Sequence, residues 1–240
     1  MSAQLSGWLA QAWATDSPVL PTSGAMQLWL HLGWSVVLAC LGVSIAGGWL
    51  KGRRLGRQVP WLFGLGLAVW AWLPGSTGAA YWFGWAFQAP SVAGVLLCLL
   101  LLARRARGNS SAQMLMFYPG AAYSDDGQSM WLASVGALLG WALLLDSFAV
   151  LPLQLYSWGF SPMALGAVVL AAPLPWAVSR QKFAPGTGAV RLVVPLAALV
   201  FVVWRLPTGN LWDAVMDPWT WVVLQVWLLK RGWSRYKNSS

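Results

Sequence analysis

Four charged side chains sit at the ends of apolar runs, on what the order of the runs makes a single side: Asp146, Arg205, Asp213 and Asp217. One guanidinium and three carboxylates can do two kinds of chemistry. They can clamp one another and cap helices, or they can hold an anionic substrate or a lipid headgroup. Arg205 at a hydrocarbon edge calls for a partner, because an unpaired charge there costs roughly 2–4 kcal/mol at depth and less at the boundary. Asp146 and Asp213 are the expected partners, and Asp217 is the expected N-cap of the run that opens at Pro218. Such networks serve structure more often than substrate, so a clamp is the expected role.

Other chemistry is thin. His31 is the single histidine. That excludes a bis-His haem or a zinc site of several imidazoles within the chain and leaves a hydrogen-bonded boundary histidine as its expected role. Serine catalysis needs a base beside the nucleophile, and one histidine without an evident partner does not supply it. Cys40 and Cys98 fall inside apolar runs, outside any CxxC spacing. Buried cysteine behaves as a small hydrophobe, so neither a disulfide nor a metal site is expected. Seven runs would suit a retinal protein, but Lys230 lies at the end of its run and no acid lies mid-run. Gln225 is the strongest polar group well inside a run. Ion-coupled transport uses buried ionisable residues, and these runs have none away from their ends. Asn109-Ser110-Ser111 and Asn238-Ser239-Ser240 match the glycosylation pattern, both on the side where it goes unused. The residues identify no catalytic group, metal or cofactor.

The elements that must position these residues follow from composition. The 240-residue chain is 58% apolar and 9% charged, with 20 tryptophans and no glutamate. A soluble domain carries about 25% charged residues, so a bilayer is the better solvent. Tryptophan suits its boundary, where an apolar ring and an N–H both find partners. The net charge of +9 comes from clusters between apolar runs, which read as topology signals and not as the basic face that nucleic acid requires. The start of the chain lacks the basic region of a secretory signal peptide.

The expected fold is all-α, a multi-pass integral membrane helical bundle. Residues 1–25 form a leader in which Leu5, Trp8, Leu9 and Trp13 recur at helical spacing, as in an amphipathic helix on the outer surface. Residues 26–233 form a single transmembrane domain of about seven spans: 26–50, 58–73, 81–103, 130–150, 162–178, 189–205 and 218–233. A crossing takes about 20 helical residues, so the second span is short. The third is read as continuous through a kink at Pro90; the other reading ends an interfacial helix at Gln88. Gly136 and Gly140 make a small-xxx-small face for helix packing. Ser161 and Pro162 read as N-cap and first helical position. Pro173, Pro175 and Pro195 read as bends, and Asp125-Asp126-Gly127 as a turn. Residues 234–240 form a short basic tail.

Cytoplasmic loops are rich in Lys and Arg. With the N-terminus outside and the C-terminus cytoplasmic, 14 of the 15 basic residues fall on one side and only Arg205 on the other. Six or eight spans would split neighbouring clusters. The expected function is a non-catalytic accessory subunit that packs against a larger membrane complex, an apolar cofactor or lipids. Its partners would be membrane lipids and other membrane subunits, with no nucleic acid. The alternative is a transporter or channel for a neutral or lipid-like solute, since proline-broken spans often line transport sites. The Arg- and Ala-rich composition points to a bacterial inner membrane.

Overall fold

Thr22 opens the first helix, its hydroxyl accepting the Ala25 N–H at 3.3 Å. That helix, α1 (Ser23–Trp49), is followed by α2 (Val59–Ala71), which carries Pro60 in its first turn, where the missing N–H costs nothing. The computed structural model describes residues 20–50, 58–107, 126–150, 152, 154–171 and 192–239. Among them the chain is helical and contains no strand. The remaining helices are α3 (Ala79–Phe87), α4 (Val92–Ala106), α5 (Asp126–Ser147), α6 (Leu155–Trp158), α7 (Pro162–Ala171), α8 (Val193–Trp204), α9 (Leu211–Val215) and α10 (Pro218–Ser239).

Two apolar cores organise them. Trp34, Leu38, Ala71, Ala79 and Ala80 join α1, α2 and α3. Val92, Ala164, Val193, Phe201 and Leu211 join α4, α7, α8 and α9. The first core depends on a close crossing of α1 and α2: a Cβ on Gly64 would stand 2.9 Å from the Ala39 carbonyl oxygen, so only glycine fits. One described helix, α1, is long and apolar enough to cross a membrane, a test that the core helix of a soluble protein or an N-terminal signal sequence also passes.

The tryptophans serve the helix breaks. Among the described residues six indole N–H groups donate to backbone carbonyls, most of them where a helix is broken: Trp29 to Pro90, Trp34 to Gln88, Trp70 to Thr77, Trp82 to Ser76, Trp212 to Leu155 and Trp221 to Ala137, at 2.7–3.1 Å. Carbonyls freed at a break must find donors, and tryptophan supplies one without a charge.

Several expectations are corrected. The continuous third span is two helices, α3 and α4. The chain turns at Gln88 (φ 62) and re-enters helix behind Ser91, whose hydroxyl accepts the Gly94 N–H. A proline forces extended backbone on the residue before it, and here that ends the helix where a kink was expected. Pro195 lies in the first turn of α8, and the part of the sixth span expected before residue 192 lies outside the described residues. Asp126 and Gly127 are helical, opening α5, where a turn was expected. Helix α10 runs on to Ser239, past Trp233, where the seventh span was expected to end. The cap expected of Ser161 is present, its hydroxyl accepting the Ala164 N–H at 3.4 Å. The leader's amphipathic helix, the 51–57 and 180–191 basic clusters, and Pro173 and Pro175 lie outside the described residues.

Candidate functional site

The four charged residues read from sequence do not form one cluster. Asp146 and Asp213 converge, but on Tyr156: its backbone N–H donates to Asp146 Oδ2 at 2.7 Å, and its hydroxyl donates to Asp213 Oδ2 at 2.8 Å. The Thr208 hydroxyl donates to the same Asp213 oxygen. Asn210, fully buried, ties the two turns together. Its Nδ2 donates to the Tyr156 carbonyl, and its Oδ1 accepts the Trp212 N–H that starts α9. Gly159 packs directly on the Asn210 side chain, and the Leu211 N–H donates to the Gly159 carbonyl at 3.0 Å. The polar groups of this lock satisfy one another.

Arg205 stands apart from it. Its backbone is left-handed (φ 55), closing α8, and its guanidinium lies over the Phe201 ring at 5.2 Å. Among the described residues it makes no ion pair with Asp146 or Asp213, which corrects the expected clamp. The left-handed turn after Trp204 directs the side chain back along its own helix, and tyrosine and threonine donors have taken the carboxylates. Arg205→Ala combined with Asp146→Ala or Asp213→Ala is therefore expected to be additive in a double-mutant cycle on stability, within about 0.5 kcal/mol. A clear coupling to either aspartate would restore the clamp.

Burial raises the Asp213 carboxyl above its ordinary range, against the Thr208 and Tyr156 hydrogen bonds that pull it down. The Tyr156 phenol is pushed up as well, first by burial and then by the Asp213 charge and the bond to it. A carboxyl with a raised folded-state pKa holds its proton where the unfolded chain has lost it. The stability it contributes is thus present below the ordinary value near ~3.9 and declines as pH rises through the raised one. Comparing thermal unfolding of the protein and of Asp213→Asn from pH 4 upward, on the order of one unit per step, should show that decline only in the unsubstituted chain. Parallel profiles would mean that Asp213 ionises without cost.

His31 takes the bland role: its Nδ1 bonds the Gln27 carbonyl one turn back at 2.9 Å and its ring lies 5.4 Å from that of Trp72. Gly136 and Gly140 face α10, with Gly140 against the Trp221 indole and Gly136 against Leu224.

Asp217 belongs to a different place. Its Oδ1 accepts the Thr220 N–H at 2.6 Å, the expected cap of α10. Its Oδ2 accepts both the N–H (3.0 Å) and the hydroxyl (2.6 Å) of fully buried Ser91, the cap of α4. One carboxylate thus caps α10 and holds the cap of α4. It also stands at one end of a groove between α1, α3, α4 and α10. The groove encloses about 220 Å³ and is lined by Trp34, Leu41, Phe83, Leu97, Cys98, Trp219 and Val223, with Asp217 and Arg104 as its charged residues. On α4 the lining residues Gly94, Leu97, Cys98, Leu100, Leu101 and Arg104 fall on one broad face, about 15 Å long. Sequence reading missed this groove, and with it Ser91, Tyr156, Thr208 and Asn210. Ser91 behind Pro90 and Asn210 before Leu211 are ordinary cap signals that were available. The groove's walls come from four separate helices and left no local signal.

No family model matches the chain, and neither a curated protein nor a solved structure matches it.

Proposed function

We propose that the chain is a non-catalytic integral membrane subunit whose groove between α1, α3, α4 and α10 holds an apolar cofactor or a lipid. In this reading it is a bundle of about seven spans in a bacterial inner membrane, with the N-terminus outside and the C-terminus cytoplasmic. The groove carries the reading. Its walls are almost wholly aliphatic and aromatic, so water gains little there and an apolar chain or ring gains contact. Its volume, about 220 Å³, is below the ~300–1,000 Å³ of sites that enclose a whole drug-sized ligand. That suits a molecule whose remainder lies outside the bundle. Apolar side chains facing away from the bundle support a lipid surroundings: Leu62, Phe63, Leu65 and Val69 on α2, and Leu199, Val202, Val203 and Trp204 on α8, are all exposed. A contiguous apolar exterior of this kind marks membrane or subunit contact.

The test is retention. Protein purified in mild detergent should carry a defined apolar species, identified by mass spectrometry of the organic extract, and Leu97→Trp, which fills the groove, should lose it. Loss of nothing on that substitution, with only bulk lipid present, would sink the reading. Cysteines placed at exposed Ser76 and Gly232 in a chain lacking Cys40 and Cys98 should label from opposite membrane sides, Ser76 from outside. Same-side labelling would defeat the seven-span arrangement. A second reading, a carrier of lipid-like solutes, draws on the break at Gln88–Pro90 beside the groove. Solute exchange between vesicles by the reconstituted chain alone would favour it.

A further inference from the structure

Cys40 and Cys98, unrelated in sequence, meet on the seam between α1 and α4. Toward one end of that seam, a Cβ on Gly33 would touch Pro90 Cδ at 3.1 Å and Val95 Cγ2 at 3.5 Å. Toward the other, Gly47 lies against the Arg105 guanidinium. Both contacts advance along the two helices in the same direction, so α1 and α4 run parallel here. Gly33, Cys40 and Gly47 fall seven residues apart, and Cys98 lies three residues after Val95 and seven before Arg105. Those spacings put each cysteine on its helix's contact stripe. That register, bracketed by the Gly33–Val95 and Gly47–Arg105 contacts, sets Cys40 and Cys98 opposite each other across the seam, within about a turn. Both are free. Glycine at either side lets the backbones approach, and a disulfide needs Cα atoms about 4.4–6.8 Å apart. The environments differ: Cys40 is 1% exposed, while Cys98 forms part of the groove wall.

We propose that Cys40 and Cys98 are a redox-active dithiol, oxidised to a disulfide by a lipophilic quinone that occupies the groove. This rests on the reading of the groove as a site for an apolar molecule and names the class. The oxidant must be apolar to enter and flat to lie among Trp34, Phe83 and Trp219, and it must take two electrons together with two protons. An alkyl- or isoprenoid-tailed quinone meets all three requirements. Cys98 is the sulfur the quinone meets, and Cys40, behind it, closes the bond. Two S–H bonds break and one S–S bond forms. The two electrons and two protons convert the two carbonyl oxygens of the quinone to hydroxyls, so the products are one disulfide and one hydroquinone.

The full chain, purified in mild detergent, reduced and desalted, is mixed with a fully substituted alkyl benzoquinone, which has no free ring carbon for irreversible thiol addition. Loss of quinone absorbance should correspond to about one equivalent per chain. Non-reducing digestion should yield a cross-linked peptide pair containing Cys40 and Cys98. Cys40→Ser and Cys98→Ser should each reduce the quinone at least ~10-fold more slowly, and oxidised glutathione, a polar disulfide, should leave the pair reduced. Quinone consumption that persists in both serine variants overturns the proposal, as does the absence of the cross-linked peptide. Should a serine variant fail to fold, the stoichiometry and the cross-linked peptide of the unsubstituted chain still decide. Cross-linking by diamide but not by the quinone overturns the quinone assignment alone, because the retention experiment with Leu97→Trp judges the groove separately.

Discussion

Gly140→Leu is expected to open the seam between α5 and α10 and to lower stability by about 3 kcal/mol, at the upper end of overpacking costs. A Cβ alone at this position would stand 2.7 Å from Trp221 Cγ and Nε1. The indole cannot simply swing away. Its N–H donates to the Ala137 carbonyl at 3.1 Å, and its ring meets Trp141 edge-on at 5.0 Å. Moving it gives up both contacts. Gly136→Leu meets the Leu224 Cδ1 tip at 2.8 Å, the flexible end of a side chain, and should cost only ~1 kcal/mol. Gly166, on α7, has nothing within 4 Å of a would-be Cβ, so Gly166→Leu serves as the control. Thermal unfolding in detergent should rank Gly140 well above Gly136, and Gly136 above Gly166. Equal effects at Gly136 and Gly140 would mean that Trp221 does not set the helix separation.

Asp217→Ala should be comparably damaging, by roughly 2–4 kcal/mol, since it removes a helix cap and leaves buried donors unpaired. The orphaned groups are the Ser91 N–H and hydroxyl, held at 3.0 and 2.6 Å by one carboxylate oxygen in a site where Ser91 is fully buried. Asp217→Asn keeps one carbonyl oxygen and should lose about half as much, since a bond to a neutral acceptor is roughly half as strong as one to a charged acceptor. Ser91→Ala removes the hydroxyl whose satisfaction is at stake. In the double variant the two losses should therefore fall short of their sum by about 1–3 kcal/mol. Strict additivity would show that the α4–α10 link carries no stability of its own. Because Asp217 and Cys98 both line the groove, Asp217→Ala should also weaken retention of whatever apolar molecule binds there.

Several breaks and caps follow from the residues that make them. Pro74-Gly75-Ser76-Thr77-Gly78, between the second and third expected spans, holds a 3-10 turn that separates α2 from α3, Ser161 caps α7 and Asp217 caps α10. The break at Gln88 was within reach of the same reasoning, since Pro90 forbids α backbone at Ala89. Membrane thickness favours one continuous span there, because residues 91–103 are too few to cross alone, but backbone chemistry before Pro90 decides the break. The role of Arg205 was misjudged for a similar reason. A shared side of the bundle makes Asp146 and Asp213 its expected partners, whereas neutral donors, the Tyr156 and Thr208 hydroxyls, occupy Asp213.

By itself the sequence determined that this chain is helical and where several of its helices are capped, and its apolar, charge-poor composition is what points toward a bilayer. These follow from backbone chemistry within a few residues and from composition, and neither requires a partner. Only the tertiary structure decided which groups meet. Asp217 reaches Ser91 across 126 positions and Tyr156 reaches Asp213 across 57. The groove takes its walls from four separate helices, and α1 meets α4 along a seam where Gly33 and Gly47 let the two close upon each other. Such pairings are set by the angle and register at which helices pack, and each depends on side chains from both helices at once.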